Sequence, residues 1–340
     1  MATDVPRAAD PRLRRRPFDR VVGQRPVSYW LTLLGPWIGI LVFGVFMVFM
    51  RDDWLTVVNM RNILIQASVF MVLAVGMTFV ITGGGIDLSV GAMTGATALT
   101  LAWLVKFTAI PEVLAIFAAF GVGVLLGTIN GLLVTRLKMP DFIATLATWI
   151  TFGGVVLVVI EGHTLFRFSD TVRFLGRYRL FDQIPMAVIV AALVAVVGYV
   201  LMTRSRFGRY TIAIGGNRKA AVEAGIPVER YKMFHYMFMG LLAGVAGVIM
   251  LGRLNAVHGL VGEGYEIHTI AAVIIGGTAL YGGVPRIWGS IGGALLLGMM
   301  ANALTYLGIH YFVQYVFSGI IIVLIVLVYS LLGYRQRPEG

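Results

Sequence analysis

From Ser28 to Leu332 the chain is a succession of apolar runs about twenty residues long, separated by short polar breaks. An α-helix rising about 1.5 Å per residue needs a run of that length to cross about 30 Å of hydrocarbon. Repeated along a chain, such runs leave one architecture open. In lipid every backbone amide must find its partner within the protein, and helices achieve this segment by segment. Composition agrees: 59% of the 340 residues are hydrophobic and 13% are charged, against about 25% charged in soluble domains. The expected fold class is all-α, a polytopic transmembrane helical bundle. About ten spans are expected, near 28–50, 60–82, 86–107, 113–134, 142–161, 185–202, 231–252, 267–283, 287–308 and 312–332.

Orientation follows from the basic residues in the connections. With the N-terminus inside, eighteen Lys and Arg fall on the inner side and eight on the outer. This predicts cytoplasmic N- and C-termini and an even number of spans. Residues 1–27 read as a basic cytoplasmic tail, 28–332 as the membrane domain with a long inner loop at 203–230, and 333–340 as a second tail. The stretch Arg7 to Arg25 is not followed by a short apolar core and a small-residue cleavage site, so it does not read as a cleaved signal peptide. The net charge of +11 fits inner loops beside anionic membrane lipid and does not point to nucleic acid.

Several chemistries are excluded. There is no cysteine, hence no disulfide, thiolate nucleophile or Cys-ligated metal. None of the four lysines sits in a phosphate-binding Gly-x4-Gly-Lys-Ser/Thr loop, so ATP is not bound by that route. No His-Glu-x-x-His pair and no Gly-x-Ser-x-Gly elbow occurs, so no catalytic residue and no metal site is assigned. The acids Asp87, Asp141, Glu161 and Glu266 lie near predicted span ends and not at midspan. Carriers coupled to ions usually keep ionisable groups near the midplane. The energy source is therefore expected in another subunit.

Glycine is abundant, 42 residues. Gly123, Gly127 and Gly131, Gly240 and Gly244, and Gly289 and Gly293 each recur at four-residue spacing on one helix face, which reads as close helix packing. The stretch Thr82-Gly83-Gly84-Gly85-Ile86-Asp87-Leu88-Ser89 is different. An acid beside loosened backbone, between two uncharged runs, is costly in hydrocarbon. It reads as a break between two helices, buried in protein or facing water, or more simply as a tight turn with Asp87 capping the next helix. Val75–Thr78 and Ile275–Thr278 align at an offset of 200, which hints that Gly282-Gly283-Val284-Pro285 is a second break of the same kind.

Two connections carry further information. Gly162–Ile184 mixes Arg167, Arg173, Arg177 and Arg179 with Asp170 and Asp182, as an outer gate, a docking surface or a solvated connector would. In Thr203–Arg230, Asn217 suits a helix N-cap, Arg218–Ala224 is a run of helix formers, Gly225 suits the C′ position and Pro227 stops the helix. A short capped helix held by Gly215-Gly216 has the shape of a contact for a soluble partner. Within the spans, Asn130, Thr145, Thr148 and Asn302 offer neutral hydrogen bonds, suited to an uncharged hydroxylated solute or to interhelical pairing.

Four stretches together resemble a known family: GMTFVITGGGIDLSVGA (76–92), GTINGLLVTRLKMPDFIATLAT (127–148), GRYTIAIGGNRKAAVEAGIPV (208–228), and YEIHTIAAVIIGGTALYGG (265–283) with GSIGGALLLGMMANAL (289–304). They are similar to the membrane permease subunits of bacterial ABC importers for monosaccharides of the ribose, xylose and galactose type. The chain departs from that pattern in its third glycine at 83–85 and in the acid Asp141. The resemblance implies a multi-pass protein of the bacterial inner membrane, paired with a second permease copy as homodimer or heterodimer. It implies a cytoplasmic ABC ATPase that uses the ATP, so that this chain binds no cofactor, and a periplasmic or lipid-anchored sugar-binding protein. It places the ATPase-coupling contact at Gly215, Gly216, Asn217, Arg218, Ala221, Glu223 and Gly225. Asp87, Ser89, Asn130, Thr145 and Asn302 are the candidate residues of the translocation path or its gate. A permease of the same superfamily for a branched-chain amino acid or nucleoside is the alternative, ahead of an ion-coupled carrier, a channel or a membrane enzyme.

Overall fold

The structure, a computed structural model, describes residues 27–310 and helical positions 313, 314, 316, 317, 319, 320, 323 and 327 beyond them. The tails before residue 27 and after 332, and most of the span expected at 312–332, lie outside the described residues.

The described chain is mostly helical. In order it runs α1 (Val27–Met50), α2 (Val57–Thr82), α3 (Val90–Phe107), α4 (Glu112–Thr135), α5 (Asp141–Ile160), strand β1 (Leu165–Phe166), α6 (Asp170–Arg177), β2 (Arg179–Leu180), β3 (Ile184–Pro185), α7 (Met186–Arg204), α8 (Arg206–Gly216), α9 (Arg218–Glu223), α10 (Val228–Leu254), β4 (Ala256–Val257), α11 (Tyr265–Ile275) and α12 (Ile287–Tyr306). Among the described residues seven helices, α2, α3, α4, α5, α7, α10 and α12, are long and apolar enough to cross a membrane. Leu34–Met50 of α1 and all of α11 form two shorter apolar stretches. The span expected at 267–283 is thus an 11-residue helix followed by irregular chain, and α3 starts at Val90, four residues after the expected 86.

Helix α10 is the axis of the bundle, packed against α2, α3, α4 and α6. The glycine stripes explain how. A Cβ placed on Gly127 would lie 2.1 Å from the Tyr236 carbonyl oxygen, and one on Gly240 would lie 2.1 Å from that of Gly123. The stripes of α4 and α10 therefore face each other at backbone contact, which any side chain would prevent. Gly289 and Gly293 of α12 meet Gly276 and Ala272 at the end of α11 in the same way. Outside this core, Leu114, Phe117, Ile150, Val158 and Leu193 on α4, α5 and α7 are exposed, an apolar outer surface of the kind lipid covers.

The connection at 162–184 is a small folded cap. β1 pairs with β4, β2 with β3, and Ser169 caps α6 by accepting from the Val172 N–H at 3.3 Å. Lys106 donates to the Arg167 carbonyl oxygen at 2.9 Å, which ties the cap to the end of α3. Two ends of the molecule are thereby defined, one bearing α6 and the other bearing α8 and α9.

Candidate functional site

At the α9 end, α2 closes with a Schellman motif. The Gly85 N–H donates to Val80 O and the Gly84 N–H to Ile81 O, both at 2.9 Å, with Gly84 left-handed at φ +75°. Asp87 follows. Its Oδ1 accepts from the Ser89 N–H at 2.8 Å and from the Ser89 hydroxyl at 2.7 Å. This is an Asx turn entering α3, not the helix cap considered from sequence; the N-cap residue is Ser89, and its side chain makes no capping bond.

From Ser89 a buried polar chain crosses three helices. Asn130 of α4 donates through Nδ2 to Ser89 Oγ at 2.7 Å. Thr148 of α5 donates to Asn130 Oδ1 at 2.7 Å. Thr145, one turn earlier, shares its hydroxyl between the Asp141 carbonyl at 2.8 Å and the Ile86 carbonyl at 3.3 Å, returning to the break. Four of the five path or gate candidates, Asp87, Ser89, Asn130 and Thr145, thus meet in one fully buried network. Asn302 does not join it; it sits on α12, and its Oδ1 has no partner among the described residues.

Three residues that sequence reading had not assembled press on the same break from α10. Lys232 pairs with Asp141 at 2.9 and 3.1 Å, with side-chain exposures of 9% and 17%. A Cβ on Gly85 would lie 2.5 Å from Asp141 Oδ2 and 3.0 Å from the Tyr236 hydroxyl. His235 bonds through Nε2 to the Thr211 hydroxyl of α8 at 2.8 Å, and a Cβ on Gly83 would lie 2.4 Å from its Cε1. The spacing 232, 235, 236 puts all three on one helix face. The available signals were the lysine at a span end and the unexpected acid at 141; nothing local joins residues 91 positions apart.

The second break spans 276–286. It opens with the same cap: the Gly277 N–H donates to Ile274 O at 2.9 Å and the Thr278 N–H to Val273 O at 3.2 Å. By this geometry Gly84 matches Gly277. The offset of 200 does not hold, since Val75–Thr78 lies inside α2. Thr78 of α2 donates to Ser290 Oγ of α12 at 2.9 Å, and Ser290 meets Thr278 at 3.3 Å.

The two breaks are joined directly. The Gly283 N–H donates to the Thr82 carbonyl oxygen at 2.9 Å. The end of α8 lies against that bond: a Cβ on Gly215 would fall 1.7 Å from Thr82 O and 2.6 Å from Gly283 N. One on Gly283 would lie 2.8 Å from the Gly216 Cα. Only glycine permits three backbones to meet this closely.

From Gly216 the chain passes into α9. Asn217 accepts from the Ala220 N–H at 3.0 Å, and Gly225 is left-handed at φ +76° beyond the helix end. Ala221 is buried against Ile214 and Val228, whereas Arg218, Lys219, Val222 and Glu223 line a shallow depression facing outward. Glu229 receives Arg218 at 2.7 Å and Lys138 at 3.2 Å, linking α9 to the α4–α5 turn. Of the seven coupling candidates, Gly215 and Ala221 are therefore anchors, while Asn217, Arg218, Glu223 and Gly225 lie at the exposed surface with Gly216.

Comparison with known proteins identifies the family. Residues 59–326 match the family model described as branched-chain amino acid transport system / permease component. The ribose import permease protein RbsC of Bacillus subtilis is 41% identical over 296 residues, covering 86% of this chain and 91% of that protein. RbsC of Escherichia coli K12 is 35% identical over 88% of this chain and 94% of its own length. The D-allose transport system permease protein AlsC of the same strain is 35% identical over 83% and 86%. No solved structure matches the chain. With more than half of its length matched and such relatives, the chain belongs to the permease-component family of branched-chain amino acid transport systems.

Proposed function

We propose that this chain is the multi-pass permease subunit of an ATP-driven importer in a bacterial inner membrane, and that it conducts a monosaccharide of the ribose type. The sugar reading rests on the ribose and allose permeases among its relatives. The amide and hydroxyl character of the Asn130–Thr148 network suits a neutral hydroxylated solute. A branched-chain amino acid would require partners for both an ammonium and a carboxylate; the network has the Asp87 carboxylate, but the cation at the same break, Lys232, is already paired with Asp141.

The observation that carries the mechanism is the three-way backbone junction of Thr82, Gly215 and Gly283. A cytoplasmic ATPase docks on the outward face of α9. Movement of its subunits on binding ATP displaces α9, and α8 transfers the displacement to the ends of both broken helices. Access then alternates between the two membrane faces by a shift between two conformations that ATP and the solute-binding protein favour differently. A second permease copy completes the pathway, and a periplasmic or lipid-anchored binding protein delivers the solute at the α6 end.

The test is reconstitution with the cognate ATPase and solute-binding protein in proteoliposomes. ATP-dependent uptake of ribose but not leucine is expected. Uptake of leucine in preference to ribose would move the chain to the amino-acid branch. Uptake that persists without ATP under a proton gradient would overturn the ABC reading.

A further inference from the structure

Helix α11 begins inside the bundle. Phe70, near the middle of α2, packs against Tyr265 with the rings tilted at 46° and centroids 4.8 Å apart, and stacks on His268 at 5.5 Å. Glu266, in the first turn of α11, is 5% exposed. Its Oε1 accepts from the Gly264 N–H at 3.2 Å, whereas Oε2 has no hydrogen-bond partner among the described residues. Thr269, one turn on and on the same face, is fully buried, and its hydroxyl also has no partner among the described residues. Buried polar atoms without partners are costly, so their retention at one place asks for a role.

What covers the Glu266 carboxylate is the start of α3. A Cβ on Gly91 would lie 2.2 Å from Glu266 Oε2 and 2.4 Å from Gly262 O, and one on Gly95 would lie 2.2 Å from Val261 O. The seam is closed by bare backbone, with glycine at 91, 95 and 262. If α3 withdraws, no side chain remains to fill the slot. It leaves a carboxylate and a hydroxyl at the amino end of a helix, beside backbone polar groups. The start of α3 is also the segment held by the Asp87–Ser89 turn, which ties this seam to the first break.

We propose that Glu266 and Thr269 form a solute-contact station in the translocation path, covered by Gly91 and Gly95 in the state seen here, which takes a neutral polyhydroxylated solute. Two hydroxyls of the solute donate to the Glu266 carboxylate, and Thr269 binds a third. The proposal rests on the permease reading and deepens it.

The experiment uses the complete importer in proteoliposomes, with ribose as the probe. Glu266→Ala is expected to lower ATP-dependent uptake by about tenfold or more, the scale of one or two lost charge-assisted hydrogen bonds. Complex assembly and ATP hydrolysis stimulated by the binding protein are expected to persist. Uptake within about twofold of the parent would overturn the station while leaving the permease reading intact. No ATP-dependent ribose uptake by the parent itself would instead remove the reading and the station with it. Glu266→Gln, nearly isosteric, guards against misfolding. A second measurement exploits the absence of cysteine. In Thr269→Cys, a small methanethiosulfonate should label the single thiol during turnover but not at rest, and ribose with its binding protein should slow the labelling. Equal labelling in all states, or none while uptake continues, would contradict the proposal.

Discussion

The two helix breaks begin with the same cap and are then held in opposite ways. The first, between α2 and α3, is fixed by side chains from three other helices: Asn130, Thr145 with the Lys232-paired Asp141, and His235. The second, between α11 and α12, is longer and carries three left-handed glycines, Gly277, Gly282 and Gly283. It is held by the hydroxyls of Thr78, Thr278 and Ser290 and by backbone contact with Thr82 and Gly215. A polar network whose members all depend on one another gives up its geometry only in a concerted step. A glycine segment seated on another backbone follows whatever it is seated on. The first break is thus a latch, and the second a follower whose position is dictated through α8.

The largest effect is expected where the two meet. Gly215→Val places a branched side chain into the Thr82–Gly283 bond, an overpacking that costs about 1–3 kcal/mol or more. ATP-dependent uptake should be lost even in complexes that still assemble. Normal uptake would dissolve the distinction between latch and follower.

Next comes the latch itself. Asp141→Ala strands a largely buried Lys232, and removing one partner of a buried pair costs about 3–5 kcal/mol. Thermal unfolding in detergent should shift down strongly, and the double variant Asp141→Leu/Lys232→Met should recover most of the loss. Failure of the double variant to recover would mean that the pair does not act as a unit. Asp87→Ala removes the acceptor of two bonds to Ser89 and should impair uptake with insertion intact. Asn130→Ala should cost about 1–3 kcal/mol by leaving Ser89 and Thr148 without their shared partner.

The smallest effect on stability, and a large one on partnership, is expected at α9. Glu223→Arg lies at an exposed site, so the unfolding temperature should hold while co-purification with the ATPase falls. An unchanged complex would remove α9 from the interface.

What the sequence disclosed was whatever repeats or punctuates locally. Long apolar runs marked α2 to α5, α7, α10 and α12, four-residue spacing marked the packed glycine stripes, and Asn217 with Gly225 marked α9. Ile-Asp-Leu-Ser after three glycines marked the first break. Hidden were features that depend on distant pairing. α8 is an amphipathic helix of 11 residues that merged with the loop around it. The Asp141–Lys232 pair and the Thr211–His235 bond need two helices set side by side. Glu266 read as an acid near a span end. It is one, but that end lies in the protein interior, because apolar periodicity reports a helix face and not its depth.

The central claim is that α9 and the second break move together. It can be tested by distances between spin labels in this cysteine-free chain, at Val222→Cys on α9, Tyr281→Cys in the second break and Phe142→Cys at the head of α5, all exposed positions. On ATP binding by the assembled importer, the 222–281 distance should stay constant while both distances to 142 change. A 222–281 distance that changes while 281–142 stays fixed would contradict the account.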